Sequence, residues 1–131
     1  MNYLTLLETA DMLADVLDFE DITAGCIDAS LDRTIGVYQR GEFVPRECIG
    51  TEPSFETAKV RLLVRWGKNP TEAEAKAAEL GGLVQALRDM PTEKHIIKFA
   101  DLKAVRSIGK DEKGICEYVV DADMIYSERN E

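Results

Sequence analysis

A single histidine, His95, is all the imidazole this chain contains, so a histidine-rich metal site or a pair of imidazoles is excluded. A Ser-His-Asp arrangement would need His95 beside an activated serine, yet no G-x-S-x-G elbow occurs. His95 therefore reads as an ordinary residue. Cysteine is scarce too: Cys26, Cys48 and Cys116 are odd in number, far apart and without metal-ligand spacing. That argues against a disulfide framework or a zinc site and fits a reduced, cytosolic setting. Cys26 and Cys116 lie in apolar runs and read as small core residues. No apolar run approaches the ~20 residues a membrane span needs. The N-terminal stretch lacks a basic region, and Glu8, Asp11 and Asp15 interrupt its apolar residues, so it does not read as a signal peptide. The pair Gly81-Gly82 lacks the spacing of a phosphate loop and sits inside a helical pattern, where it permits close approach of a neighbour or a kink. Asp121 and Asp123 share a strand face, but further cation ligands are missing from the pattern. These absences predict no enzyme, no cofactor and no metal.

What the chain does contain is a core-forming composition. At 131 residues it has the length of one domain, and 45% of its residues are hydrophobic, which fits a folded protein. For this mass, area scaling predicts that roughly two-thirds of the unfolded surface is buried on folding. The formal net charge of −9 argues against a protein that gains affinity by neutralising phosphates. It is compatible with one that DNA passes without adhering, and with charge that serves solubility.

The most informative stretch runs from Ala58 to Leu87. Ala58, Val60, Leu62, Val64 and Trp66 fall on one face of an extended strand, with Lys59, Arg61 and Arg65 on the other and Leu63 as the exception. After a turn at Gly67–Asn69 the pattern becomes helical, with Ala73, Ala77, Leu80, Val84 and Leu87 on one stripe. Asn69 is placed to cap the helix, Pro70 suits the first helical position, and Glu72 follows the cap by three residues. Glu72 and Glu79, with Glu74 and Lys76 nearby, read as a solvated helix face.

Residues 2–18 predict an amphipathic helix. Leu6, Leu7, Ala10, Leu13, Ala14 and Leu17 form its apolar stripe, and Glu8, Asp11 and Asp15 its solvent side. Short strands are expected at Ile22–Ile27 and Thr34–Gln39, separated by turn residues at Ser30–Asp32. Asp89–Thr92 reads as a break with Pro91 as the stop, His95–Val105 as a strand, and Ser107–Gly114 as a loop. In the last strand Cys116, Tyr118, Val120, Ala122, Met124 and Tyr126 share one face, opposite Glu117, Asp121 and Asp123. If this strand neighbours the basic-faced one, charges pair across the ladder. Trp66, Tyr38, Tyr118 and Tyr126 suit strand core positions better than a platform for bases. The expected fold is α+β: one domain over residues 1–131, with an antiparallel or mixed sheet of four to five strands and two helices on one face.

Residues 40–56 are irregular, broken by Gly41, Pro45, Gly50 and Pro53. A loop of this length in a compact domain usually has a task. Its apolar side chains make it a candidate subunit interface through Phe43, Val44, Arg46, Ile49 and Phe55.

Three segments together resemble the minor capsid, or tail terminator, family of long-tailed bacteriophages and prophages: RTIGVYQR (Arg33–Arg40), LLVRWGKNPTEAEAKA (Leu62–Ala77) and GICEYVVDADMIYSER (Gly114–Arg129). In that family an "IGVY" strand is followed by a glycine- and proline-containing segment, a strand ending in "W-x-K-N", an acidic alanine-rich helix, and a closing "G-x-x-E-Y" strand. The positions from Phe43 to Cys48 depart from the family pattern. The resemblance implies structural work in the virion, after assembly in the host cytoplasm. It implies a homo-oligomeric ring, usually of six subunits, on the head-proximal end of the tail tube. Its partners would be further copies of itself, the tail tube protein and the head connector protein. DNA would pass non-specifically through the channel, which the chain's own acidity would line with negative charge, and no membrane would be involved. A head–tail connector, or a cellular module binding a small ligand or peptide, are the alternative expectations. A deep pocket in a monomer would favour the module, and an exposed 40–56 loop with a free edge strand would favour assembly.

Overall fold

The computed structural model describes residues 3–41 and 55–129. The elements run α1 (Leu6–Leu17), β1 (Ile22–Ala24), β2 (Arg33–Gln39), β3 (Glu56–Trp66), α2 (Pro70–Gln85), β4 (Arg88–Pro91), β5 (His95–Lys110) and β6 (Cys116–Glu128). The six strands form one mixed sheet in the order β1-β2-β3-β6-β5-β4. All its pairs are antiparallel except β1 with β2, which are parallel, Ile22 facing Ile35 and Ala24 facing Val37. The fold is α+β, as expected, with a strand count above the four to five anticipated.

The strand–turn–helix unit forms as its pattern dictates. Val60, Leu62 and Val64 are buried along β3, and Ala73, Ala77, Leu80 and Val84 along α2, with Leu87 buried just beyond the helix end. Asn69 caps α2 through Oδ1, which accepts from the backbone N–H groups of Thr71 and Glu72. Both helices contribute to a single hydrophobic cluster on one face of the sheet. Ala10, Met12 and Leu13 of α1 join Leu80 and Val84 of α2 over Ile35, Val37, Leu62, Val120 and Met124. Gly81 is where α2 comes closest to β5: a Cβ there would lie 3.0 Å from Val105 Cγ2 and 3.6 Å from Leu102 Cδ2. The glycine pair thus permits the close approach at its first member, while Gly82 faces open space.

Several local readings are corrected. Glu8, assigned to the solvent side of α1, is buried, and Leu7, assigned to the apolar stripe, is 62% exposed. A tertiary polar partner, described below, rotates the helix to bring Glu8 inward. The first strand ends at Ala24 rather than Ile27, and Cys26 is exposed rather than in the core, whereas Cys116 is buried. Most of the segment Asp89–Thr92, read as a break, belongs to the edge strand β4, Arg88–Pro91. Proline is tolerated there because an edge strand does not need every N–H in a ladder. Ser107–Lys110 continues β5 as strand, and only Asp111–Gly114 turns, closed by bonds from Asp111 N to Ile115 O and from Gly114 N to Asp111 O.

Candidate functional site

The sheet face away from the helices is charged, and its charges are matched by register. β3 places Lys59, Arg61 and Arg65 opposite Asp123, Asp121 and Glu117 of β6, the pairing anticipated from the two polar faces. Arg61 makes two bonds to Asp121, Nε to Oδ1 at 2.8 Å and Nη2 to Oδ2 at 3.0 Å. These bonds outweigh burial and hold the Asp121 carboxyl below the usual aspartate range. Arg65 is 4% exposed and reaches Asp111 Oδ2 at 2.6 Å and Glu117 Oε2 at 3.5 Å. Asp111 in turn accepts from the backbone N–H groups of Ile115 and Lys113, and the Ile115 bond is the first cause of its lowered pKa. Lys59 faces Asp123 in register, but the carboxylate is engaged by Arg40, with Lys103 Nζ at 3.9 Å. Asp121 and Asp123 thus receive guanidinium groups. No cluster of His, Cys, Asp or Glu suited to a metal occurs among the described residues.

His95 lies fully buried at the start of β5. Its Nδ1 is 2.9 Å from Glu8 Oε2, an oxygen that also accepts from Thr92 Oγ1 at 2.8 Å and from Lys94 N at 3.2 Å. Burial pushes the Glu8 carboxyl up, but the bonds from His95, Thr92 and Lys94 outweigh it and leave the pKa below its usual value. Glu8 is therefore a carboxylate at neutral pH, and the histidine nitrogen facing it carries a proton. Tyr126 packs edge-on against the ring at 5.1 Å. The constellation clamps α1 to the β4–β5 turn. It contains a histidine, a carboxylate and a hydroxyl, yet all three are sealed inside the protein.

Trp66 is half-buried at the end of β3, with Phe19 tilted against it at 5.3 Å and the cations of Lys76 and Arg33 over its ring at 4.8 and 5.5 Å. Arg33 also binds Glu72 Oε2 at 3.2 Å, so this glutamate serves a tertiary contact rather than the capping box its position suggests.

Of the predicted interface residues, Phe43, Val44, Arg46 and Ile49 lie outside the described residues. Phe55 is described and is 55% exposed just before β3. The surface that sequence reasoning missed is the outer edge of β5. The strand β4 pairs with β5 only at Ile96, Ile97 and Phe99. From Ala100 to Lys110 no described strand covers that edge, and Val105 through Lys110 are all exposed. Reading Ser107–Gly114 as a loop hid the edge, because Gly109 and the flanking charges imitate turn chemistry.

A family model described as bacteriophage tail terminator protein matches residues 7–128. No curated protein matches the chain. One solved structure superimposes with a TM-score of 0.44 at 13% identity, covering 96% of this chain and 92% of that one.

Proposed function

We propose a role from one premise: the chain belongs to the bacteriophage tail terminator family. That family is structural, and its members are virion components. This chain assembles into a ring, usually of six copies, on the head-proximal end of the finished tail tube. It ends tube growth there and offers a surface to the head connector. The family match over residues 7–128 carries this reading. An exposed Phe55 at the base of the 40–56 segment and an uncovered strand edge on β5 support it, since both are surfaces a neighbouring copy would cover. The net charge of −9 lets DNA pass the ring without adhering. Assembly takes place in the host cytoplasm.

The test is electron microscopy of lysates from a phage or prophage with this gene disrupted. Overlong, variable tails beside filled heads are the expected outcome. Tails of normal length beside separate heads would move the assignment to a head–tail connector, and normal virions would overturn both.

A further inference from the structure

The chain's charge is segregated along its length. The first 32 residues contain eight acidic side chains and no lysine or arginine. The remaining residues carry seventeen acidic and sixteen basic ones, close to balance. The acid-only segment comprises α1, β1 and their loops, and its exposed surface sets Leu7 beside Asp11 and Asp15, one and two turns along α1. The uncovered edge of β5 has the opposite character. Leu102–Lys110 contains three bases and no acid: Lys103 pairs with Asp101 just before it, and Arg106 and Lys110 lie beside exposed Val105 and Ile108.

These two surfaces do not meet within one chain. Helix α1 packs over β1 and β2 and touches β5 at that strand's start, where Glu8 meets His95. The basic stretch begins seven residues further along β5, at Leu102, which at about 3.3 Å per residue is roughly 23 Å from that contact. Complementary patches at two different places on one molecule define a heterologous contact, the kind that repeats head to tail and closes into a ring. We propose that the uncovered basic edge of β5 in one copy docks on the acidic, Leu7-bearing surface of α1 in the next. The occupant is a second copy of this chain. Opposite charges set orientation and partner choice, and Val105, Ile108 and Leu7 supply the apolar part of the contact. The inference rests on the ring reading above and adds which surfaces form the seam.

The test is complementation of a gene-disrupted phage or prophage with charge-reversed chains. R106E/K110E and D11K/D15K should each abolish tails of finished length. The chain carrying all four changes should restore them, because the reversed seam is complementary again. Restoration also rules out misfolding as the cause of the single defects. Finished tails from either reversal alone, or no recovery in the combined chain, would overturn the seam and leave the ring reading standing. If the disruption itself leaves tail length normal, the ring reading fails and the seam with it. A photo-crosslinking residue placed at position 106 gives a second readout in assembled tails. Capture of a peptide from residues 3–21 of another copy is expected, and capture of the tube protein would overturn the assignment of the occupant.

Discussion

The two helices lie on the same face of the same sheet and are held there by different physics. Helix α2 is kept by shape. Its stripe of alanine, leucine and valine is buried throughout, and Gly81 lets its backbone approach the side chains of β5. Helix α1 also buries apolar residues, but its rotation is set by Glu8, whose carboxylate collects bonds from Thr92, Lys94 and His95 more than eighty positions away. The contrast teaches that a periodic apolar stripe fixes a helix when nothing polar competes. A buried charge with good partners can override the stripe and leave a leucine in water.

The comparison is broken most sharply by Leu80→Ala. It removes the centre of the α2 stripe and should cost about 2–5 kcal/mol of unfolding free energy in denaturant titration. A cost under 1 kcal/mol would mean that α2 is not held by packing. Next in size is Glu8→Ala, which leaves His95 buried without its carboxylate and should cost about 1–3 kcal/mol at neutral pH. The same site carries a pH signature. Because the folded-state pKa of Glu8 is lowered, its contribution is complete above the unfolded value and is lost as pH falls through the folded one. The stability gap between wild type and Glu8→Gln should therefore shrink as acid is added below about pH 4.5, the group's unperturbed value. A gap independent of pH would show that the carboxylate's charge does not matter.

Capping sharpens the comparison, because here the helices are alike. Thr5 Oγ1 accepts from Glu8 N at 3.1 Å, as Asn69 Oδ1 does from the first turn of α2. Thr5→Ala and Asn69→Ala should each cost roughly 1 kcal/mol, and a large difference between them would place the asymmetry in the caps. The smallest effect is a gain. Gly82 is exposed with nothing near its absent Cβ, so Gly82→Ala should stabilise by about 0.5–1 kcal/mol. Gly81→Ala should return less, since its methyl would press on Val105 at 3.0 Å. Equal thermal shifts for the two would mean that α2 does not sit tightly on β5.

The same contrast explains what could be read from the sequence. The β3–α2 unit was legible because alternation, turn, cap and stripe follow each other within thirty residues. The charge ladder of β3 and β6 was legible because each strand carries one sign on one face. The burial of Glu8 was not, because a charged residue on a helix is ordinarily solvated and its partners lie far along the chain. Nor was β4, whose Pro91 reads as a stop, or the far half of β5, whose Gly109 and lysines read as a turn. The parallel pairing of β1 with β2 involves three-residue ladders that leave no periodic mark. Of the candidate interface, only Phe55 falls among the described residues, and it is exposed.

The strand order carries a consequence for the timing of synthesis. β6 follows every other strand in the chain, yet it sits at the middle of the sheet, with β3 on one side and β5 on the other. As the polypeptide leaves the ribosome, β1–β3 and β4–β5 emerge as two separate ribbons with no strand to join them. Their open inner edges close only when β6 arrives, and Arg61 and Arg65 wait until then for Asp121 and Glu117. A nascent chain therefore has no completed sheet until its last strand is in place, and the arrival of β6 itself times when the fold can close.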